Sequence, residues 1–188
     1  MYRFSGTRAG VQENISVVRN IASQYRAGDF VFAIDEAERN TLWSARKEAL
    51  WSMLALRKDG TEVWSTDVAV PLSRLPDIIE ISKKELDSLG LFASILGHVG
   101  DGNFHESILY DPKDPRQRQA VEKCVHDMVD RALEMDGTCT GEHGIGLGKK
   151  DSLIQELGLD TIGVMKSIKA ALDPHWLMNP GKIIDLPE

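Results

Sequence analysis

The spacing of apolar residues along the chain alternates between helix-like and strand-like stretches. Apolar positions three and four residues apart predict four helices, at residues 11–26, 36–56, 74–89 and 114–136. Alternating or continuous apolar runs predict five strands, at residues 2–5, 27–35, 61–71, 91–99 and 104–110. Two short helical stretches and an irregular tail, "NPGKIIDLPE", complete the chain.

The helix at 114–136 has the clearest limits. Asp114 and Pro115 suit its cap and first position, and Gly137 suits its end. Strands interleaved with long helices, together with a strand–turn–strand pair around residues 92–110, predict an α+β fold with a mainly antiparallel sheet and helices on one face. No repeat or linker divides the sequence, and we therefore expect a single domain over residues 1–188.

Composition and charge exclude several classes of function. The chain is 42% hydrophobic and 27% charged, with a net charge of −7 and no basic block, so we expect no nucleic-acid partner. No apolar run approaches the roughly 18 residues that a membrane span needs. The N-terminal "MYRFSGTRAG" lacks the pattern of a targeting segment. An acidic surface gives no attraction for an anionic substrate, so a carboxylate would need a local cation.

The segment "GHVGDGNFH", residues 97–105, places two histidines at the flanks of a glycine turn. A turn between two strand ends can bring His98 and His105 to one point. A second glycine-flanked segment, "GEHGIG", adds Glu142 and His143. Two imidazoles and a carboxylate form a common ligand set for catalytic Zn, Mn or Fe(II), with positions left open for substrate.

Simpler roles compete with chemistry for several of these residue types. A histidine near a turn is often only hydrogen-bonded, and His126 and His175 suit solvated or structural positions. Cys139 suits a small buried packing residue better than a metal ligand, and Cys124 falls in a helix's apolar stripe. Arg46, taken by itself, suits a solvated helix face.

Several motifs in a fixed order carry a family resemblance. "LWSARKEALW", "WSTDVAVPLSRLP", "GHVGDGNFH", "GTCTGEHGIGLGK" and "LDPHWLMNPGKI" together resemble the C-terminal part of flavin-linked D-2-hydroxy acid dehydrogenases. This is the D-lactate dehydrogenase (cytochrome) and glycolate oxidase D-subunit group of the vanillyl-alcohol-oxidase-type flavoproteins. The resemblance covers nearly the whole chain and implies a ferredoxin-like cap or substrate domain. It also implies that the N-terminal FAD-binding domain is absent from this chain.

The resemblance also assigns roles residue by residue. It implies three divalent-metal ligands: His98, His105 and Glu142. His143 corresponds to the family's catalytic base, Arg46 to an arginine that binds the substrate carboxylate, and Asn179 to a residue near the flavin. Leu50 and Ser65 replace polar groups of the D-2-hydroxyglutarate branch, which argues against a substrate with a second carboxylate.

The function implied by the resemblance is oxidation of a small 2-hydroxy acid, D-lactate to pyruvate. Electrons would pass through FAD to an acceptor such as cytochrome c, and the D-lactate branch implies a mitochondrial location. Two alternatives stay open. The chain could be a stand-alone metal-dependent hydrolase or lyase, or it could hold a metal and a hydroxy acid without reaction.

Overall fold

A computed structural model of the chain describes residues 1–28, 30–33 and 35–186. Contacts between Cα atoms divide the chain into two compact units, residues 1–49 and 50–188. Each unit is described separately below. The assignment of residues 1–188 to one domain stays a prediction.

The first unit contains two helices with side-chain caps. Helix α1 spans Arg8–Gln24, and the Thr7 hydroxyl accepts a hydrogen bond from the Gly10 N–H at 3.2 Å. Helix α2 spans Glu36–Lys47, and the Asp35 carboxylate accepts from the Glu38 N–H at 2.8 Å. The first turn of α2 is acidic and its last turn is basic, which suits the helix dipole.

Two predicted strands and the length of one helix are wrong. Residues 2–5 and 30–33 form no strand, since a strand needs a partner strand and the described residues of this unit supply none. Residues 29 and 34 of the second prediction lie outside the described part of the chain. The helix predicted at 36–56 breaks at Glu48, after which α3 spans Ala49–Ala55.

The second unit is built on an antiparallel sheet whose central strand is β4. Its strands are β1 (Glu62–Ser65), β2 (Val68–Ala69), β3 (Ala93–His98) and β4 (Asn103–Tyr110). β1 and β2 pair with one edge of β4 in a single register, so the two residues between them lie opposite Glu106 and His105. β3 pairs with the other edge. The predicted α+β fold with an antiparallel sheet is confirmed.

Alternation along β4 gives the sheet two different faces. Phe104 and Ile108 are fully buried against helices α4 (Leu75–Leu89) and α5 (Pro115–Glu134). Helix α5 begins as predicted, with the Asp114 carboxylate capping it and Pro115 in the first turn. The odd-numbered residues of β4 face the opposite way, and this second face carries the polar side chains of the candidate site.

The last helix, α6, spans Lys150–Leu172 and is interrupted at Gly158, whose φ of 77° is not helical. This interruption matches the two short helical stretches predicted near the C-terminus. Leu153 and Ile162 of α6 form a small buried cluster with Ile184 of the tail. Among the described residues, no helix has the length and apolar character that a membrane span requires.

Glu106 is an exception on the helix-facing side of β4 because it is charged and fully buried. Burial raises the pKa of its carboxyl to about 7, and the nearby Glu85 carboxylate adds to the effect. The native protein therefore keeps the Glu106 proton up to about pH 7, whereas an unfolded chain loses it near the ordinary value of 4.5. Raising the pH through this window favours unfolding.

We expect Glu106→Gln to stabilise the fold at pH 8 by up to about 3 kcal/mol, because glutamine mimics the protonated acid and has no proton to lose. The difference should vanish near pH 4, where the carboxyl is protonated in both states. Urea denaturation at both pH values measures it, with the exposed Glu80→Gln of α4 as control. An equal effect of Glu106→Gln at pH 4 and pH 8 would contradict the expectation.

Candidate metal centre

The glycine turn brings the two histidines of "GHVGDGNFH" together, as predicted. His98 ends β3, a single 3₁₀ turn follows over Val99–Asp101, and His105 lies on β4. Gly102 has a φ of 68°, and a Cβ there would lie 2.1 Å from the Val70 carbonyl oxygen. Only glycine fits this close turn without strain. The two imidazole centroids lie 5.2 Å apart.

Glu142 reaches this pair from a segment distant in sequence. Its Oε1 lies 3.2 Å from His98 Nε2 and 3.0 Å from His105 Nε2. One ligand atom from each of the three residues falls within 4.8 Å of the others, which is the only such group of three among the residues that the structure describes. Ligands of a tetrahedral site with bonds of about 2.1 Å lie about 3.4 Å apart, so the donor set fits a divalent ion.

A backbone carbonyl group on the side away from Glu142 sets the orientation of the His105 ring. Its Nδ1 lies 3.0 Å from the Thr66 carbonyl oxygen, which only accepts, so this contact assigns the ring proton to Nδ1. Nε2 is then the atom that carries a lone pair toward Glu142. Metal-binding histidines commonly have such a backing acceptor, because it fixes the tautomer and the ring plane.

His143 lies beside the three-residue group and outside it. Its Nε2 is 3.8 Å from Glu142 Oε1, its ring centroid is 5.1 Å from that of His105, and its side chain is 64% exposed. Adjacent residues of a regular strand would face opposite ways. Here the backbone is irregular, with Gly144 at a φ of 78°, so Glu142 and His143 both lie near His105.

Asp67 is a site residue that the sequence analysis missed. Its buried carboxylate accepts hydrogen bonds from the segment that carries Glu142 and His143. Burial by itself would raise the pKa of Asp67, but hydrogen bonds from the His143 N–H, the Thr140 hydroxyl and the Asn103 amide hold it well below its usual range. The available signal was an acid inside an otherwise apolar and β-branched strand, where aspartate is unfavourable.

Lys149 links the backbone at Asp67 to the backbone of the segment that precedes Glu142. Its Nζ donates to the carbonyl oxygens of Asp67 and Cys139, at 2.5 and 2.7 Å. Burial lowers the pKa of Lys149, although the nearby Asp67 carboxylate opposes the shift. The sequence by itself suggests only surface charge for Lys149, whereas its side chain is 21% exposed.

Arg46 and Asn179 are the two remaining candidates, and neither is a member of the three-residue group. Arg46 belongs to α2 of the first unit, with its guanidinium 5.8 Å from the Trp43 ring centroid. Asn179 lies in the tail after α6, at a φ of 50°, outside the His98–His105–Glu142 group. The substrate-binding role of Arg46 and the flavin-contacting role of Asn179 stay predictions.

The simpler roles predicted for the two cysteines and for His126 agree with the structure, and the structural role predicted for His175 stays a prediction. Cys124 and Cys139 are buried free thiols, and burial raises the pKa of each to about 12, which suits packing. His126 and His175 are exposed.

Comparisons with known proteins agree with the family resemblance that the sequence motifs carry. The family model described as "FAD linked oxidases, C-terminal domain" matches residues 1–183. The mitochondrial D-lactate dehydrogenase [cytochrome] of Arabidopsis thaliana is 48% identical over 184 residues, covering 98% of this chain and 32% of that protein. The enzyme of that name from Kluyveromyces lactis is 48% identical over 179 residues, 94% of this chain and 31% of that protein.

A more distant relative and one solved structure extend the comparison. Glycolate oxidase subunit GlcD of Escherichia coli K12 is 32% identical over 179 residues, 95% of this chain and 35% of that protein. The 4-ethylphenol oxidase of Gulosibacter chungangensis superposes with a TM-score of 0.63 at 18% identity, covering 97% of this chain and 38% of that one, which shows the fold alone. The chain spans about a third of the length of these proteins.

Proposed function

We propose, because the chain belongs to the family of FAD-linked oxidase C-terminal domains, that it is the metal- and substrate-binding part of a flavin-dependent dehydrogenase of D-2-hydroxy acids. The single observation that carries the proposal is the convergence of His98, His105 and Glu142, with His143 beside them. The identity to D-lactate dehydrogenases over nearly the whole chain favours D-lactate as the substrate and pyruvate as the product.

The three ligand residues would hold a divalent ion, for which zinc, manganese and iron(II) all suit the donor set. When bound, that ion would lower the pKa of the substrate hydroxyl, and FAD would accept the C2 hydride. The Glu142 side chain is 52% exposed, so a hydroxy acid can approach this ligand from solvent. Arg46 is proposed to bind its carboxylate through two parallel hydrogen bonds and so orient the C2 hydrogen.

His143 is proposed to take the hydroxyl proton as the general base. Its exposed side chain and its position beside the ligand group support this role, since a base must reach a substrate that arrives from solvent. It is also near enough to Glu142 that a hydroxyl held at the ligand group would lie within its reach. The proton then passes to Nε2 or Nδ1 of His143 and from there to water.

The proposed partners are an FAD-binding part of the same enzyme and an electron acceptor such as cytochrome c. Exposed apolar side chains on α6 and the tail support a protein partner: Val164, Ile168, Leu172, Leu177 and Met178 are 55–82% exposed. Asn179 follows Met178 directly, and we propose that this segment approaches the flavin. The relatives from Arabidopsis thaliana and Kluyveromyces lactis carry both "cytochrome" and "mitochondrial" in their names, which supports this acceptor and a mitochondrial location.

We expect residues 1–188 alone to bind the metal but to oxidise no D-lactate, because hydride transfer needs a flavin. The same residues joined to an FAD-binding part should bleach oxidised flavin under anaerobic conditions with D-lactate and far more slowly with L-lactate or D-2-hydroxyglutarate. Absorbance spectroscopy of both proteins checks this. Lactate-dependent dye reduction by the 188 residues alone, or hydrolytic turnover without flavin, would overturn the proposal.

A further inference from the structure

Asp67 lies at the point where the sheet meets the segment 138–144. It is the second of the two residues between β1 and β2, and the register places it opposite His105 on the neighbouring strand. Directly opposite residues of an antiparallel pair share a face of the sheet. The Asp67 side chain is therefore on the metal-centre face, and its Oδ1 lies 3.6 Å from His105 Nδ1.

The Asp67 carboxylate binds three consecutive backbone N–H groups. Oδ2 accepts from Gly141 at 2.9 Å, from Glu142 at 3.1 Å and from His143 at 3.0 Å. Successive N–H groups that converge on one anion form a concave nest, which fixes the backbone path through all three residues. The Thr140 hydroxyl also donates to Oδ2, at 2.7 Å.

Asn103 and Gly141 complete the contact. The Asn103 amide donates to Asp67 Oδ1 and to the Val68 carbonyl oxygen, each at 2.8 Å. A Cβ on Gly141 would lie 1.9 Å from Asn103 Nδ2, so only glycine lets the segment approach this closely. The carboxylate is thus enclosed by groups that donate to it, and it is the common acceptor of the segment 140–143.

We propose that Asp67 is a positioning residue, whose carboxylate holds the backbone of residues 141–143 so that Glu142 faces the two metal-binding histidines and His143 faces the substrate. This inference rests on the proposed function, because it assumes that the three-residue group binds a metal. A second contribution is electrostatic. A buried carboxylate directly behind His105 adds negative charge close to a bound cation and favours its retention.

A neighbouring carboxylate provides a control that distinguishes positioning of Glu142 from general support of the fold. Glu156 of α6 accepts from the Cys139 N–H at 2.8 Å and from the Thr138 hydroxyl at 3.2 Å, so it anchors the same segment three residues before Glu142. If anchoring the segment were sufficient, loss of either carboxylate would lower the metal affinity by the same factor. If the three N–H contacts position Glu142, only the loss of Asp67 lowers the metal affinity.

The test is a Mn²⁺ titration of the 188-residue chain, followed by the electron paramagnetic resonance signal of the free ion. We expect Asp67→Asn to lower Mn²⁺ affinity by about 10- to 100-fold, the usual effect of losing an outer-shell partner. Glu156→Gln should stay within about twofold of the wild type while lowering the melting temperature. In the Co²⁺-loaded chain, Asp67→Asn should alter the visible absorption of the bound ion, whereas Glu156→Gln should leave it unchanged.

Thr140→Val is the milder variant if Asp67→Asn does not fold, and it should lower Mn²⁺ affinity by about three- to tenfold because it removes one donor to Asp67. Unchanged affinity in the folded Asp67→Asn protein, or in Thr140→Val, would overturn the inference and leave the proposed function standing. Equal losses in Asp67→Asn and Glu156→Gln would overturn it too. A wild-type chain that binds no Mn²⁺ or Co²⁺ would overturn both the inference and the proposed metal centre.

Discussion

Replacing His143 by alanine in the flavin-containing enzyme is expected to slow flavin reduction by D-lactate by about two to four orders of magnitude, the usual contribution of a positioned general base. The metal should stay bound, because the three ligand atoms belong to other residues. Substrate affinity should change little, since the carboxylate and the hydroxyl oxygen keep their proposed partners. The loss should therefore appear in the rate of the chemical step.

Stopped-flow absorbance of the flavin, together with elemental analysis of the same samples, measures both quantities. His126→Ala is the matched control, because His126 is an exposed histidine on α5 and no role in the site is proposed for it. Raising the pH should partly restore the rate in His143→Ala, since hydroxide can replace a missing base. If this variant instead loses metal and recovers a normal rate when metal is resupplied, His143 is a ligand and the base is another residue.

Loss of Glu142 should remove metal and activity together. Glu142 Oε1 contacts both imidazoles, at 3.2 Å from His98 Nε2 and 3.0 Å from His105 Nε2. Losing an outer partner of a ligand costs about 10- to 100-fold in affinity, and losing the ligand itself should exceed about 100-fold. Flavin reduction should then fall to background, because the divalent ion that would lower the pKa of the substrate hydroxyl is lost.

His98→Ala and His105→Ala should give the same result as Glu142→Ala. Isothermal titration with Zn²⁺ and elemental analysis of the purified proteins measure it, with the exposed Glu80→Ala of α4 as the control for removing a carboxylate. Stoichiometric metal in all three folded variants would show that the donor set has been assigned wrongly. If only Glu142→Ala retained its metal, the two histidines would be ligands and Glu142 would not.

Where capping residues or glycine turns accompany the apolar pattern, the predicted elements match the structure. The helix from Pro115 and the strands that flank the glycine turn follow from local spacing, capping and glycine. The short strand predicted at 2–5 is wrong, and the described residues 27–28 and 30–33 of the second prediction form no strand either, because apolar β-branched and aromatic residues favour extended backbone without supplying a partner strand. Pairing between strands is a property of the fold, and no local pattern encodes it.

The sequence by itself determined the chemistry that this protein can offer: two imidazoles, one carboxylate and a further histidine, each within three residues of a glycine that permits a close turn. The tertiary structure decided how they meet. Glu142 lies 37 residues beyond His105, and their approach depends on the buried Asp67, which binds the backbone of 141–143 from the neighbouring strand. The role of an acid between β1 and β2 cannot be read from the sequence, because the backbone N–H groups that it binds are more than seventy residues away and come within reach only when the sheet has formed.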